Sequence, residues 1–294
     1  MKHHYIPQFY MRPWLGSDHK LEEYGRVPPT MQIKSRRRGP ESTGYEVDLY
    51  SLPGVNDAAR QDVERKFLSK VDTSAAKVRD KMLAGELVLT DGERYVWARF
   101  LLSLLIRSPD EMARLKARVA DIFTNPDEQT ERIYARIRQE GQPATALELL
   151  QTPWPNGQEV SAILTSTTLT QNEVVLHRAV NMTWEVFDTS QLVRRLITSD
   201  RPLVMTGAFP RLSGYIALPI SPTKLFMAFM LEDDAARMER YPRSKLVREM
   251  NASQIGQGVK HVYALDGSNI AEVRRGMSKR PSVSLVELSR RLVR

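Results

Sequence analysis

The sequence predicts an α+β fold: a helical half with a buried central helix, packed on a small mixed, mostly antiparallel sheet. Three observations carry this. Helical apolar spacing dominates between about residues 57 and 141. Short runs rich in β-branched and aromatic residues take over beyond about residue 157. One helix-length segment, 95–106, is apolar almost all round, which suits the centre of a bundle rather than a surface.

The elements follow in chain order. Residues 1–56 read as extended and loop-like, with Pro7, Pro13, Pro28, Pro29, Pro40 and Pro53, and Ser35-Arg36-Arg37-Arg38-Gly39-Pro40 reads as a basic turn. Asp57 can cap a helix whose apolar positions Val63, Phe67, Val71, Val78 and Met82 recur at helical spacing, with Gly85 as its stop. Thr90 and Glu93 fit a capping box opening the buried helix. Arg107-Ser108-Pro109 interrupts it, the pattern resumes over 110–123, and Asn125-Pro126-Asp127 opens a polar helix ending near Gly141. Residues 151–157, with Pro153, Pro155 and Gly157, form the clearest linker. Strands are predicted at 160–164, 182–187, 192–197, 203–205, 215–218, 225–230 and 261–265, and helices at 233–239, 245–255, 270–277 and 285–292. The chain reads as one domain over 1–294, with a sub-division into 1–150 and 151–294.

Composition narrows the function. The absence of cysteine excludes disulfides, thiolate zinc sites, iron–sulfur clusters and a cysteine nucleophile. The opening residues carry no apolar h-region, and no run reaches the roughly 18 apolar residues of a membrane span, so a soluble, cytoplasmic protein without a membrane partner is expected. Forty-three Lys and Arg against 35 Asp and Glu give a net charge of +8. The excess lies at the ends: residues 1–45 hold eight basic against four acidic side chains, and residues 237–294 hold thirteen against five. Clustered cations of this kind suit a polyanion partner, nucleic acid first, although net charge also serves solubility. No P-loop, G-x-G-x-x-G, G-x-S-x-G or kinase signature is present.

Several segments together resemble a known family. His3-His4-Tyr5-Ile6-Pro7-Gln8-Phe9-Tyr10-Met11-Arg12 is similar to the start of a widespread bacterial domain family of unknown function whose members open with HHYIPQFYLR-like sequences. Thr198-Ser199-Asp200-Arg201-Pro202 resembles its TSD-x-P step, with Arg201 where Asn is common, and Pro219-Ile220-Ser221-Pro222 its Pro-Leu-Ser-Pro-like step. Arg107-Ser108-Pro109 fits its Arg-x-Pro after a buried helix, and Asn251 its isolated Asn before a closing strand. The similarity spans almost the whole chain. It implies a shared fold and a set of candidate residues, and no reaction.

The candidate catalytic residues are His3, His4, Asp200 and Arg107. His3 and His4 are adjacent and so point to opposite faces of a strand, a poor metal pair that suits one inward and one pocket-lining ring. Asp200 lies in a turn between apolar runs, either bonding neighbouring amides or serving as a general base or metal-binding carboxylate. Arg107 breaks an apolar helix and needs a partner: Glu64 for a structural pair, Asp200 for a functional one. Gln8, Arg12, Ser199, Arg201 and Asn251 complete the set as phosphate- or substrate-binding candidates; the residues point to no particular cofactor or metal. The basic stretch Arg274-Arg275-Gly276-Met277-Ser278-Lys279-Arg280 is a candidate phosphate contact.

The first reading is a protein acting on nucleic acid by binding or hydrolysis, with the four catalytic candidates converging on one site. The alternative is a non-catalytic interaction protein whose His-His-Tyr and Thr-Ser-Asp segments hold the opening strand onto the sheet. A small-molecule enzyme using Asp200 and a histidine as acid and base is a third.

Overall fold

A computed structural model of the chain describes residues 1–55, 60–206, 214–280 and 284. The opening segment builds β1 (Lys2–His4), a short helix α1 (Gln8–Met11), the hairpin β2 (Leu21–Val27) and β3 (Gln32–Arg38), and β4 (Tyr45–Val47). The stretch expected as a basic turn is thus strand over its arginines. Arg36, Arg37 and Arg38 pair with Glu23, Glu22 and Leu21, and Gly39-Pro40 ends the strand instead of turning it. That pairing is invisible to a local reading.

The helical part follows. Residues Val63–Leu68 wind as a π-helix into α2 (Ser69–Ala84), which stops at Gly85 in the left-handed conformation, φ +90°, where a side chain would be strained. The Thr90–Glu93 capping box opens α3 (Asp91–Ile106), and Ser108 with Pro109 restarts the chain as α4 (Pro109–Thr124). Next come α5 (Glu128–Ile137), α6 (Ala146–Gln151), α7 (Gly157–Leu169) and α8 (Glu173–Val180). The strand expected at 160–164 is therefore helix: Ala162 packs with Leu115 and Val119 of α4, and this helical face overrides the β-branched composition. The helix-cap expectation at Asp57 and the helix expected at 285–292 lie outside the described residues.

The remaining elements are β5 (Thr183–Asp188), β6 (Thr198–Ser199), β7 (Val204–Met205), β8 (Tyr215–Ser221), β9 (Lys224–Phe229), α9 (Glu232–Glu239), α10 (Arg243–Gln257), β10 (His261–Ala264) and α11 (Ile270–Gly276). All the sheets are antiparallel: β1 with β4, then β3-β2-β10-β6, then β5-β9-β8-β7. The α+β class holds, with the strands of the described residues shared among three sheets. The strand expected at 192–197 is absent, because other groups take its backbone. Asn251 Oδ1 accepts from Ile197 N–H at 3.1 Å, Asn251 Nδ2 donates to the Arg195 carbonyl at 2.8 Å, and the indole of Trp14 donates to the Leu196 carbonyl at 3.0 Å.

The largest core joins Tyr5, Tyr10 and Trp14 of the opening segment to Trp97 and Phe100 of α3 and to Phe226 of β9. Ring centroids lie 5.0 Å apart for Trp97–Phe100 and 5.6 Å for Trp97–Phe226. The buried Tyr10 hydroxyl donates to the Pro219 carbonyl and meets Thr198 Oγ1, both at 2.7 Å. The opening motif is thereby docked between the two four-stranded sheets. A second cluster, Tyr24, Ile33, Val262, Ile255 and Val273, packs α10 and α11 against one face of the β3-β2-β10-β6 sheet. No helix among the described residues is long and apolar enough to cross a membrane.

Candidate functional site

The motif residues are engaged within the fold. His3 is fully buried, its Nδ1 accepting from Tyr50 N–H at 2.9 Å. The ring proton therefore sits on Nε2, which donates to Gln61 Oε1 at 2.5 Å. Gln61 in turn donates to Ser51 Oγ at 2.9 Å and Asp48 Oδ1 at 3.3 Å, and Asp48 holds the Met1 ammonium at 2.7 Å. Burial pushes the His3 pKa below its usual value, against the pull of Gln61, so the ring is neutral. His4 is half-buried, 3.3 Å from the Gln8 amide nitrogen and tilted on the Tyr45 ring; Arg12 is exposed.

Arg107 is 1% exposed and pairs with Asp72 Oδ1 of α2 at 2.7 Å, which replaces the expected Glu64 or Asp200 as its partner. Tyr50 ties this centre to His3: its N–H serves His3 and its hydroxyl donates to the Arg107 carbonyl at 2.5 Å. Among the described residues, Arg107 Nε and Nη1 and Glu64 Oε2 are buried without hydrogen-bond partners. Burial pushes the Glu64 carboxyl up to about 7, with Arg107 opposing the shift and Asp72 adding to it.

The Thr-Ser-Asp step is hydrogen-bonded to the 259–261 backbone. Asp200 Oδ1 accepts from Val259 N–H at 2.8 Å, and Oδ2 accepts from the N–H groups of Lys260 and His261. Burial pushes its carboxyl up and these backbone donors pull it back. Ser199 Oγ lies 2.9 Å from Gln254 Oε1 and accepts from Arg201 N–H at 3.3 Å. Arg201, 8% exposed, pairs with Asp110, and Asn251 holds the 195–197 backbone as described above. Sequence reasoning gathers His3, His4, Arg107 and Asp200 into one site. Among the described residues no hydrogen bond or ion pair joins Asp200 to the other three; His3 and Arg107 meet through Tyr50.

The open polar surface lies elsewhere, on the face of the β3-β2-β10-β6 sheet opposite α10 and α11, beside Leu21 and Tyr263 of that same face, which the largest core buries. Lys34, Arg36 and Arg38 alternate along β3 and so share that face. Opposite Arg36 stands Glu23, opposite Lys34 stands Gly25, and opposite Gly25 stands His261. These residues line a cleft of about 320 Å³, with Thr43 and Tyr45. Gly25 keeps it open, because a Cβ there would sit 3.0 Å from His261 Nδ1. Arg37 projects to the other face, bound to Asp18 and to the Leu265 carbonyl at 2.8 Å.

At the cleft floor the polar groups approach without closing. Glu23 Oε1 is 3.9 Å from Arg38 Nε, and Glu23 Oε2 is 3.8 Å from His261 Nδ1, both beyond hydrogen-bond reach. Arg38 Nε and His261 Nδ1 are buried without hydrogen-bond partners among the described residues. Thr43 Oγ1 donates to Glu23 Oε2 and lies 3.0 Å from the Tyr263 hydroxyl. The sequence does not single out Glu23, counts Lys34 only among the basic side chains of residues 1–45, and gives His261 an ordinary place near a strand end. The period-two Lys34-x-Arg36-x-Arg38 spacing was the signal available, once read as strand.

A second cleft, of about 400 Å³, lies between α10 and α11, where Arg248, Arg275, Lys279 and Arg280 line it beside an Arg194–Glu272 ion pair at 2.7 Å. Much of the basic stretch at 274–280 thus lines a cleft, while Arg274 is tied to the Ile33 carbonyl at 3.2 Å. Among the described residues no group of three or more His, Asp or Glu is placed to hold a metal ion.

Fold and clefts define the class first: an α+β protein that pairs the two basic ends of its chain in one antiparallel sheet and opens a cationic cleft upon it. The chain belongs to the family DUF4238, described as a protein of unknown function, whose profile matches residues 2–268. No curated protein and no solved structure gives a significant match to the chain.

Proposed function

We propose that the protein binds nucleic acid through the cationic face of the β3-β2-β10-β6 sheet, and that its sequence motifs serve the fold rather than chemistry. The observation that carries this is the pairing of β2 with β10. It brings the basic N-terminal and C-terminal regions, more than 230 residues apart, into one sheet. Cations on an edge strand such as β3 also discourage strand pairing between molecules, which accounts for charge there. It does not account for a cleft beneath them whose floor is built of buried polar groups. Binding is favoured over hydrolysis because the ring nitrogens of His3 and both oxygens of Asp200 already serve internal partners.

The test is fluorescence anisotropy with labelled single- and double-stranded RNA and DNA across a salt series, for the wild type and for a Lys34→Ala/Arg36→Ala/Arg38→Ala variant. The wild type binds with a salt-dependent constant, and the variant loses about 2–3 from the slope of log K against log salt, close to 0.7–0.9 per phosphate contact. Absence of binding, or an unchanged slope, overturns the reading.

A further inference from the structure

The same cleft contains a group that a bare anion site would not have. Glu23 is 8% exposed and sits at the floor beneath Lys34, Arg36 and Arg38. A carboxylate there repels a phosphate; it accepts from Thr43 Oγ1 and forms only a long ion pair with Arg38, whose Nε stands 3.9 Å away, with His261 Nδ1 at 3.8 Å. Buried polar groups left without partners are costly and rare, so Arg38 Nε and His261 Nδ1, beside the Glu23 carboxylate, call for an occupant. It must present negative charge to the rim and an O–H or N–H hydrogen to the floor. The half-buried Tyr45 lines the cleft as well, its ring engaged by Lys2 Nζ at 4.3 Å and by the His4 ring.

We infer that the cleft seats a single nucleotide unit, its phosphate on Lys34, Arg36 and Arg38 and a sugar hydroxyl or base N–H donated to Glu23. This rests on the nucleic-acid reading above and adds to it a defined subsite with chemical selectivity. The cleft volume of about 320 Å³ is at the small end of ordinary ligand pockets and suits one nucleotide rather than a run of them. A site with a buried acceptor discriminates against ligands that cannot donate to it, so phosphate alone is the poorer ligand.

Titration calorimetry with inorganic phosphate, AMP, GMP and dAMP, on the wild type and on Glu23→Gln, separates the two roles of this carboxylate. The wild type binds nucleotide more tightly than phosphate. In Glu23→Gln, phosphate binds more tightly because a like charge is gone, while nucleotide binding weakens about tenfold because a charged acceptor is lost. Retained phosphate binding shows that the variant is folded. Comparison of AMP with dAMP assigns the donated hydrogen to the 2′-hydroxyl if dAMP is weaker, and to the 3′-hydroxyl or the base if the two are equal. If Glu23→Gln tightens nucleotide and phosphate alike, or the wild type binds both equally, the inference is overturned. Polynucleotide binding that persists in that case leaves the wider reading standing, whereas its loss removes both.

Discussion

Replacing Asp200 separates a fastening from a catalytic carboxylate. Its oxygens accept three backbone N–H groups, from Val259, Lys260 and His261, and its own N–H donates to the His261 carbonyl at 3.0 Å. Asp200→Ala removes all three acceptor contacts. At about 1 kcal/mol for each donor left without its partner, the low end of the range because Val259 and Lys260 lie near solvent, the loss is about 3 kcal/mol. For a chain of this length each kcal/mol moves the melting temperature by roughly 2 °C, so Asp200→Ala melts about 6 °C lower. Asp200→Asn keeps one acceptor oxygen and sets an NH2 against at least one backbone donor, so its loss is smaller, about 1–3 kcal/mol. Thermal unfolding followed by circular dichroism measures both, and nucleic-acid affinity stays within about twofold of wild type. A catalytic carboxylate behaves in the opposite way, since removal of a functional charge leaves stability unchanged or improves it. An Asp200→Ala protein that melts within about 1 °C of the wild type refutes the argument.

Two further outcomes concern the buried Arg107 centre. Arg107→Ala leaves Asp72 facing an emptied buried site and lowers stability by about 3–5 kcal/mol, read by chemical denaturation. Glu64 is held up at about 7, so ionising it costs more in the fold than in the unfolded chain, where its usual value is 4.5. That cost is absent below the unfolded value, grows as pH rises between the two, and is complete above 7. Glu64→Gln therefore gains stability on the wild type between pH 5 and pH 8; a difference that stays flat over this range contradicts the assignment.

Much of the helical part was legible because its signals are local. Thr90 with Glu93, Ser108 before Pro109, and Gly85 each fix a helix end through contacts within a few residues. The 160–164 segment misled because Val160, Ile163 and Leu164 carry strand-like composition, while the deciding contact, Ala162 on Leu115 and Val119, lies on another helix. The 192–197 segment looked like strand and is irregular backbone held at 195–197 by Asn251 and Trp14, partners about 55 and 180 residues away.

The candidate site shows the same division. Arg107 stands out because a charge amid apolar sequence needs a partner, and His3 and Asp200 through the motifs that carry the resemblance; each has partners: Asp72, Tyr50 with Gln61, and the 259–261 backbone. A need for partners does not distinguish structural from catalytic groups. The cleft could not be read at all, because it depends on the register of β2 with both β3 and β10, and only that register sets Glu23 beside Arg36 and Gly25 beside His261.

The central claim is that the face built by this register binds nucleic acid. Its most direct measurement is the salt dependence of RNA and DNA binding by the wild type beside Lys34→Ala/Arg36→Ala/Arg38→Ala, with melting temperatures confirming that both are folded. The wild type binds with salt-sensitive affinity, and the variant's slope is reduced by about 2–3. Equal slopes and affinities in the two proteins, or no binding by either, contradict it.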